Sequence, residues 1–527
     1  MKRRKFIQAN AGLAAAVSFP SILSSPEPLK NHDKPNIQVG FSETNLTSCI
    51  ISMTKVRQPL QVICASIKGL DSHVIFLVLD LIALNESEWN AMRENIAKSV
   101  NLSSNQILIH VTHTHSAPWG ERGEGSYQFV NLQETLTDCV KQSIDRAKPA
   151  YIRSGVIDVG NSLSIYRRGD TGTGLGIQTF WIGYTFREND ERPDASALVN
   201  EMKSRWLRQE LDYTPADKPI WFDGHVDSLV QTLSFEDANG VVIGSIVRFA
   251  AHPHLTCSCI PWMYDPDYPG IVRQVMHKDT KAPVMFLTGA CGNLVPKEKV
   301  NYRVNWNAVT EFPYMGPSSA FYPENEKELL DEMNRIGTHI AKTALDSLKS
   351  SPVEKVELFG IESQLFDVPL DPDLPGSQNE IDTIRKALVA EYQASLNQGN
   401  PLREMRGIAN RLNWLRWSGA ASLKYISNEE RKAGIKKMPC SVVAINKNVF
   451  AFLHSEISAE TTFELRKTYP DFNIWTMGLT NGDIGYYPTA QMIDEGGYEG
   501  RSTIINRDAE EKIRKDVASL IKKLKLI

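Results

Sequence analysis

Two pairs of histidines in this 527-residue chain have the residue type and the spacing that metal chemistry needs. His113 and His115 form one pair, and His252 and His254 form the other. Side chains at positions i and i+2 of an extended strand point to the same face, so each pair can present both rings to one pocket. Two imidazoles and a carboxylate, for which Glu456 is a candidate, match the ligands of a catalytic zinc that keeps one position for water. Histidines that only form hydrogen bonds in the core or at the surface would give the same pattern, and the spacing alone does not separate the two interpretations.

The first histidine pair follows a predicted strand–helix–strand unit. Residues 73–79 are a continuous apolar stretch, which is typical of a strand buried on both faces. Asn85 and Glu88 make a capping pair for the helix that follows, and residues 107–111 form the second strand. Such a unit predicts two parallel strands, and ligands bind at the carboxyl ends of the strands in open α/β sheets.

The second histidine pair and Glu456 also follow predicted strands. Residues 229–235 and 241–249 are typical of a hairpin, with Asn239-Gly240 as a type I′ turn, and His252 comes shortly after it. Residues 284–287 form a further strand, and two short strands within residues 441–453 lead to Glu456. We therefore expect an α/β fold in which a mixed β-sheet core is flanked by helices.

Two helical regions are predicted around this core. One is an amphipathic helix whose apolar side includes Leu329, Ile336 and Leu348. The other is a polar helical stretch with Trp414 and Trp417, which we interpret as a covering insertion over about residues 360–440.

The composition excludes some function classes. The formal net charge is −4, and no cluster of Lys and Arg is interleaved with aromatic residues, so we expect no nucleic-acid partner. The seven cysteines show no CxxC spacing, and neither a disulfide framework nor a zinc ribbon is predicted.

Residues 1–34 resemble an export signal followed by a polar linker. The paired Arg3 and Arg4 precede an apolar stretch over residues 9–23, which is too short for a stable membrane span. Paired arginines are typical of a twin-arginine signal, and an N-terminal membrane anchor is the alternative. We expect a periplasmic or secreted protein with residues 35–527 as its catalytic domain and no transmembrane domain beyond the signal. No oligomeric state follows from the sequence.

Six blocks of the sequence resemble the neutral/alkaline ceramidase family, in the family's order. Residues 112–118 (THTHSAP) resemble its THTHSGP motif, and residues 249–253 (FAAHP) resemble its FAxHP motif. The other blocks are 39–42 (VGFS), like the family's opening strand, 292–296 (GNLVP) where the family has GDVSP, 453–456 (LHSE) where it has PGE, and 478–500, like its GLxN…GY…YEG loop. The resemblance spans about residues 38–502 and implies the fold of the family's catalytic domain. We expect no counterpart of its C-terminal immunoglobulin-like domain.

The resemblance also implies a zinc hydrolase of the amidohydrolase type with one Zn²⁺ per chain. The family's zinc ligands fall on His113, His252, Glu456 and Tyr486. Its second THTH histidine, its substrate-binding arginine and its second loop tyrosine fall on His115, Arg167 and Tyr498, which are the candidate catalytic groups. Zinc would lower the pKa of a water that attacks an amide or ester carbon. The three catalytic groups would donate hydrogen bonds to the developing oxyanion.

The substrate side of the predicted site departs from the family. The serine of GDVSP falls on Val295 and the aspartate on Asn293, while His254 adds a ring that the family lacks. These three residues are candidates for substrate binding. Valine cannot donate a hydrogen bond, so we expect little or no ceramidase activity and a different small-molecule, lipid or glycan-derived substrate. The alternatives are a zinc hydrolase of a carbohydrate-derived substrate and a catalytically silent binding protein on the same fold.

Overall fold

Long apolar strands build the centre of the protein, as expected where sheets are buried on both faces. The computed structural model describes residues 34–84, 86–118, 128–170, 177–179, 220–221, 225–259, 261–300, 302–304, 321–323, 325–400 and 402–524. The predicted export signal with Arg3 and Arg4, and the predicted helix cap Asn85, lie outside these residues. No helix within them is long and apolar enough to cross a membrane.

Nine strands of the described chain form one mixed sheet. They are β1 (Ile37–Asn45), β3 (Gln61–Gly69), β4 (Ser72–Leu79), β5 (Ile107–Val111), β7 (Lys148–Asp158), β12 (Leu229–Glu236), β13 (Val242–Phe249), β14 (Val284–Thr288) and β18 (Val353–Glu354). Their order is β14-β13-β12-β7-β1-β3-β4-β5, with β18 paired to β7. The pairs β4/β5 and β13/β14 are parallel, which confirms the parallel strands predicted for the first strand–helix–strand unit.

A second sheet has four strands in the order β19-β20-β21-β23. They are β19 (Phe359–Pro369), β20 (Ile435–Ile445), β21 (Asn448–Phe452) and β23 (Asn473–Met477). The pairs β19/β20 and β20/β21 are antiparallel, and the pair β21/β23 is parallel. The sequence predicted the strands around residues 441–453 but not a separate sheet.

Short strand pairs surround the two sheets. They are β2 (Ile50–Ile51) with β6 (Gln128–Phe129), β8 (Ser164–Tyr166) with β15 (Leu294–Pro296), β16 (Tyr302–Val304) with β17 (Phe321–Pro323), β22 (Glu456–Ile457) with β24 (Tyr486–Tyr487), and the trio β9 (Arg168–Asp170), β10 (Ile177–Thr179) and β11 (Ile220–Trp221). Two of these pairs, β8/β15 and β22/β24, carry residues of the candidate site.

The α-helices of the described chain are distributed along its whole length. They are α1 (Glu86–Ser99), α2 (Leu132–Asp145), α3 (Asp267–Thr280), α4 (Glu326–Lys349), α5 (Gln378–Asn397), α6 (Leu402–Trp414), α7 (Ala420–Tyr425), α8 (Asn428–Ala433), α9 (Ala459–Thr468), α10 (Ala490–Glu495), α11 (Gly497–Arg501) and α12 (Ala509–Lys523). The predicted amphipathic helix is α4, whose N-terminus is capped by the Asn325 side chain and whose apolar side is buried.

The two sheets pack face to face between layers of helices. Alternate residues of β4 illustrate this, because Phe76 packs against Phe450 and Phe452 of the second sheet while Leu77 points to the opposite cluster with α1 and α2. Helices α3 and α4 cover the other end of the first sheet, and α9 and α12 cover the second sheet. The result is a four-layer α/β/β/α arrangement, which confirms the predicted α/β class with a mixed sheet core and flanking helices.

The predicted type I′ turn between β12 and β13 is wrong. A type I′ turn needs positive φ at both central residues, but only Gly240 has it (φ +76), and Asn239 does not. The loop closes instead by a hydrogen bond from the Gly240 amide to the Asp237 carbonyl, and the Asp237 side chain accepts from the Asn239 and Val241 amides. The Asp237 carboxylate stabilises this longer loop, which the Asn-Gly dipeptide alone did not reveal.

The predicted covering insertion is helical only in its middle part. Strands β19 and β20 occupy the two ends of the region, and they pair with each other along their full length. The helices α5 to α8 therefore extend from one strand of a hairpin to the other, over residues 378–433.

Candidate functional site

The carboxyl ends of parallel strands from both sheets meet at one edge of the molecule. Two isolated bridges, His110↔Thr480 and Gly289↔Met477, join the ends of β5 and β14 to the segment at and after β23. The loops that follow β5, β13 and β21 therefore converge, and these loops carry His113, His252 and Glu456.

Backbone carbonyls fix the ring orientation of two of the predicted metal ligands. Nδ1 of His113 lies 2.6 Å from the Ile82 carbonyl, and Nδ1 of His252 lies 3.0 Å from the Leu294 carbonyl. A carbonyl can only accept, so each Nδ1 carries a proton, and Nε2 is the ring nitrogen that faces the site. Carbonyl partners of this kind are typical of metal-ligating histidines.

The carboxylate of Glu456 lies between these two rings. Its Oε2 is 3.0 Å from Nε2 of His252 and 3.5 Å from Nε2 of His113. Burial opposes ionisation, but the neighbouring His113 and His252 hold the pKa of Glu456 well below its usual value. Burial and the cation of Arg167 lower the pKa of His252 to about 4, so the His252 ring is neutral at pH 7. An anionic carboxylate beside a neutral imidazole is a donor set suited to Zn²⁺.

Two residues at the site have a left-handed backbone conformation. His113 has φ +63 and Ser455, directly before Glu456, has φ +68. Such conformations cost of order 1–3 kcal/mol for residues other than glycine and cluster at functional sites. Gly478 permits the close packing here, because a Cβ at this position would collide with the Ser455 carbonyl.

Tyr486 lies next to Glu456 in the β22/β24 pair. The two residues are direct partners in this parallel bridge, and the Tyr486 ring is buried. Burial and the Glu456 carboxylate raise the pKa of the Tyr486 phenol well above its usual value. The phenol is therefore protonated in the protein alone, and a cation that bound its oxygen would displace the proton.

His115 and His254 complete a cluster of four imidazoles. The ring of His115 is centred 4.8 Å from His113, 5.8 Å from His252 and 5.8 Å from His254. The candidate ligand atoms of His113, His115 and His252 all lie within 4.8 Å of one another, so this group can hold a metal ion. The rings converge through turns rather than extended strand geometry, since the His254 amide bonds back to the His252 carbonyl.

Two other buried histidines show what a purely structural histidine looks like in this fold. His110 bonds the Gly478 carbonyl through Nδ1 and accepts from the Thr288 amide at Nε2. His454 uses Nδ1 and Nε2 for the Pro439 carbonyl and the Tyr487 hydroxyl. Both ring nitrogens of each are engaged away from the four-imidazole cluster, and neither residue was predicted as a ligand.

The predicted oxyanion donors Arg167 and Tyr498 are both neighbours of Tyr486. Nη2 of Arg167 donates to the Tyr486 hydroxyl at 3.0 Å, and the Arg167 side chain is fully buried. The Tyr498 ring is half-buried and centred 5.3 Å from the Tyr486 ring. Tyr498 thus lies nearer the surface, whereas Arg167 lies inside the protein.

The three predicted substrate-binding residues have different surroundings. Both ends of the Asn293 amide bind α9, because Oδ1 accepts from the Ala459 amide and Nδ2 donates to Glu460. Val295 is buried on β15, directly after Leu294, whose carbonyl holds His252. His254 belongs to the imidazole cluster itself.

Two acidic residues near the site were missed by sequence reasoning. Glu499 is fully buried and binds Arg167 and Arg168. Asp483 lies in the loop before Tyr486, and burial together with the Glu456 carboxylate raises its pKa to about 6. The only sequence signal for these two residues is their position inside the Gly/Tyr-rich loop of residues 478–500.

Solved structures resemble the chain in fold. The crystal structure of neutral ceramidase from Pseudomonas aeruginosa matches with a TM-score of 0.56 and 15% identity, over 93% of this chain and 74% of that one. A ceramidase complexed with C2 matches with a TM-score of 0.56 and 14% identity, over 94% and 76%. No protein-family model and no curated protein sequence matches. The chain therefore has a neutral ceramidase-like fold, which confirms the resemblance inferred from its motifs.

Proposed function

We propose that this protein is an exported zinc-dependent hydrolase that cleaves an amide or ester bond. The observation that carries the proposal is the convergence of Nε2 of His113 and Nε2 of His252 on one carboxylate oxygen of Glu456. The likeness in fold to neutral ceramidases supports the same reaction class.

The proposed ligands of one zinc ion are His113, His252, Glu456 and Tyr486. Zinc at this position would supply an activated water and polarise the scissile carbonyl. Ile82 and Leu294 hold the two imidazoles in the ligating tautomer through their carbonyls. His115 and the Tyr498 hydroxyl are proposed to donate hydrogen bonds to the oxygen of the carbonyl under attack.

The proposed substrate is smaller or more polar than ceramide. Val295 offers no hydrogen bond where the family's motif has a serine, and His254 adds a buried polar ring to the imidazole cluster. A buried polar group of a lipid headgroup without a partner costs affinity, so a ceramide would bind poorly here.

The ligand assignment is tested by the zinc content of purified variants. His252→Ala and Glu456→Ala should each lose most of the bound zinc, because removing one of four ligands collapses the coordination shell. His277→Ala is the matched control, since His277 is exposed on α3 and binds the Ala282 carbonyl. Full zinc occupancy in both ligand variants by elemental analysis would refute the assignment.

The reaction class is tested separately on the zinc-loaded protein with a panel of simple esters and amides. Turnover that disappears in Glu456→Ala supports a hydrolase. Tight zinc binding without turnover of any ester or amide would indicate the silent binding protein instead.

A further inference from the structure

We propose that Glu499 is a positioning residue that holds Arg167 against Tyr486, so that Tyr486 keeps the orientation of a metal ligand. We call Glu499 together with Arg167 and Thr179, the two partners that connect it to the tyrosines, the Glu499 clamp. The inference rests on the proposed function, because it assigns the clamp a task toward a ligand of the proposed zinc.

Both oxygens of the Glu499 carboxylate are engaged inside the protein. Oε1 accepts from Nε of Arg167 at 2.7 Å. Oε2 accepts from Nη1 of Arg168 at 2.8 Å and from the Thr179 hydroxyl at 2.6 Å. The carboxylate and both guanidinium groups are 0–1% exposed. These three buried side chains have little freedom to rotate, because charge-assisted hydrogen bonds are short and directional.

The Arg167 guanidinium is held from three separate segments. Besides Glu499 on α11, its Nη2 donates to the Gly292 carbonyl at 2.6 Å and to the Tyr486 hydroxyl at 3.0 Å. The planar guanidinium has a rigid donor geometry, so bonds to Glu499 and Gly292 fix where its donor toward Tyr486 points. This arrangement favours a role through Tyr486 over the direct contact with an oxyanion that the sequence predicted for Arg167.

Thr179 connects the clamp to the neighbouring tyrosine. Its hydroxyl donates to Glu499 and accepts from the Tyr498 amide at 3.1 Å. One carboxylate therefore orders both tyrosines of the loop, Tyr486 through Arg167 and Tyr498 through Thr179.

Arg168 provides a matched control outside the clamp. It binds the same carboxylate and is equally buried, but its other bonds go to the Met492 and Gly496 carbonyls and to Glu495. In a purely structural ion-pair cluster, loss of either arginine would change metal binding to the same extent. If the clamp positions Tyr486, loss of Arg167 should weaken metal binding more than loss of Arg168, because of the two arginines only Arg167 contacts Tyr486.

The test measures zinc affinity by competition with a chelator, and the tyrosine–metal bond by the visible charge-transfer band of the copper(II)-loaded protein. The band should be present in the unmodified protein and absent in Tyr486→Phe. Glu499→Gln and Arg167→Met should weaken the band and lower zinc affinity 10–100-fold, as expected for partners of a metal ligand. Arg168→Met should leave the band and the zinc affinity unchanged, even if it lowers stability.

A double variant addresses the risk that Glu499→Gln alone fails to fold with two buried cations and no anion. Arg168→Met with Glu499→Gln removes one charge of each sign, and it should still lose the band. Equal effects of Arg167→Met and Arg168→Met, or an unchanged band in the double variant, would overturn the clamp while leaving the proposed hydrolase intact. An unmodified protein that binds no zinc would refute the proposed function and the clamp together.

Discussion

Two tyrosines of the same loop allow a controlled test of one hydroxyl. Tyr498 belongs to the proposed site, and Tyr487 does not. Tyr498 lies half-buried beside Tyr486, and its ring packs edge-on against Trp417. Tyr487 is the next residue after Tyr486, but its hydroxyl binds His454 in the core. Tyr487 therefore serves as a control, because its hydroxyl is engaged in the core, whereas the Tyr498 hydroxyl is the one proposed to act in the reaction.

Tyr498→Phe should keep the zinc and lower the turnover number. The ring keeps its packing on Trp417, but the hydroxyl proposed as an oxyanion donor is lost, and one such donor is worth about a hundredfold to a thousandfold in turnover. Steady-state kinetics and elemental analysis on the same preparation check this. Tyr487→Phe should lower stability without a comparable loss of turnover, and loss of zinc from Tyr498→Phe would contradict its role.

Val295 determines the expected response to ceramide. The unmodified, zinc-loaded protein should cleave a short-chain fluorescent ceramide slowly or not at all, because Val295 cannot donate a hydrogen bond. Val295→Ser should raise ceramide cleavage if the rest of the pocket admits the lipid. Val295→Thr adds the same hydroxyl at nearly the volume of valine, so it separates the hydroxyl from the space created. Rapid ceramide cleavage by the unmodified protein would contradict this expectation and show that the protein is a ceramidase.

At the scale of elements, the segment before α3 supports the loop that carries the first histidine pair. The Asp265 amide bonds the Ser116 carbonyl, and the Asp265 carbonyl accepts from the Thr114 hydroxyl at 2.8 Å. The Asp265 side chain is fully buried beside Asp267, and burial together with that second carboxylate raises the pKa of Asp265 to about 7.

The pKa of Asp265 predicts a pH-dependent cost to stability. The folded protein keeps this proton between about pH 4 and pH 7 where the unfolded chain does not, so stability is lost as the pH rises through that window. Asp265→Asn should therefore raise the free energy of unfolding at pH 8, by at most about 4 kcal/mol for a shift of this size. The gain should disappear near pH 4. Denaturant unfolding at both pH values checks this, with the exposed Asp471→Asn as control; equal gains at both would contradict it.

At the scale of the whole molecule, the site depends on two sheets that meet at one edge. His113 and His252 follow strands of the nine-stranded sheet, whereas Glu456 and Tyr486 follow strands of the four-stranded sheet. The apolar faces between the sheets, with Phe76 against Phe452, fix the relative position of the two halves of the proposed ligand set.

The predicted export signal would act on the folded chain as a whole. The pair Arg3 and Arg4 predicts recognition by the translocase for folded proteins. Changing both residues to lysine should leave the protein in the cytoplasm, measured by fractionation of the producing cells. An unchanged periplasmic or secreted yield would show that another route is used.

The sequence by itself determined the elements and the candidate ligands of this protein. Apolar stretches at residues 73–79, 107–111 and 284–287 predicted strands that the structure contains, and the motif order predicted a ceramidase-like fold. These features are readable because strand periodicity and short motifs are properties of neighbouring residues. The wrong prediction of a type I′ turn at Asn239-Gly240 was also made from neighbouring residues. A dipeptide does not reveal that the Asp237 side chain stabilises a longer loop.

Only the tertiary structure decided which atoms meet. The bond from Arg167 to Glu499 spans 332 positions of sequence, and the bond from His252 to Glu456 spans 204. No local pattern marks the carbonyls of Ile82 and Leu294 as partners of the two histidines, because every residue carries a carbonyl. The chain supplied the imidazoles and carboxylates, but the packing of two sheets determined their distances, their tautomers and the buried carboxylate behind them.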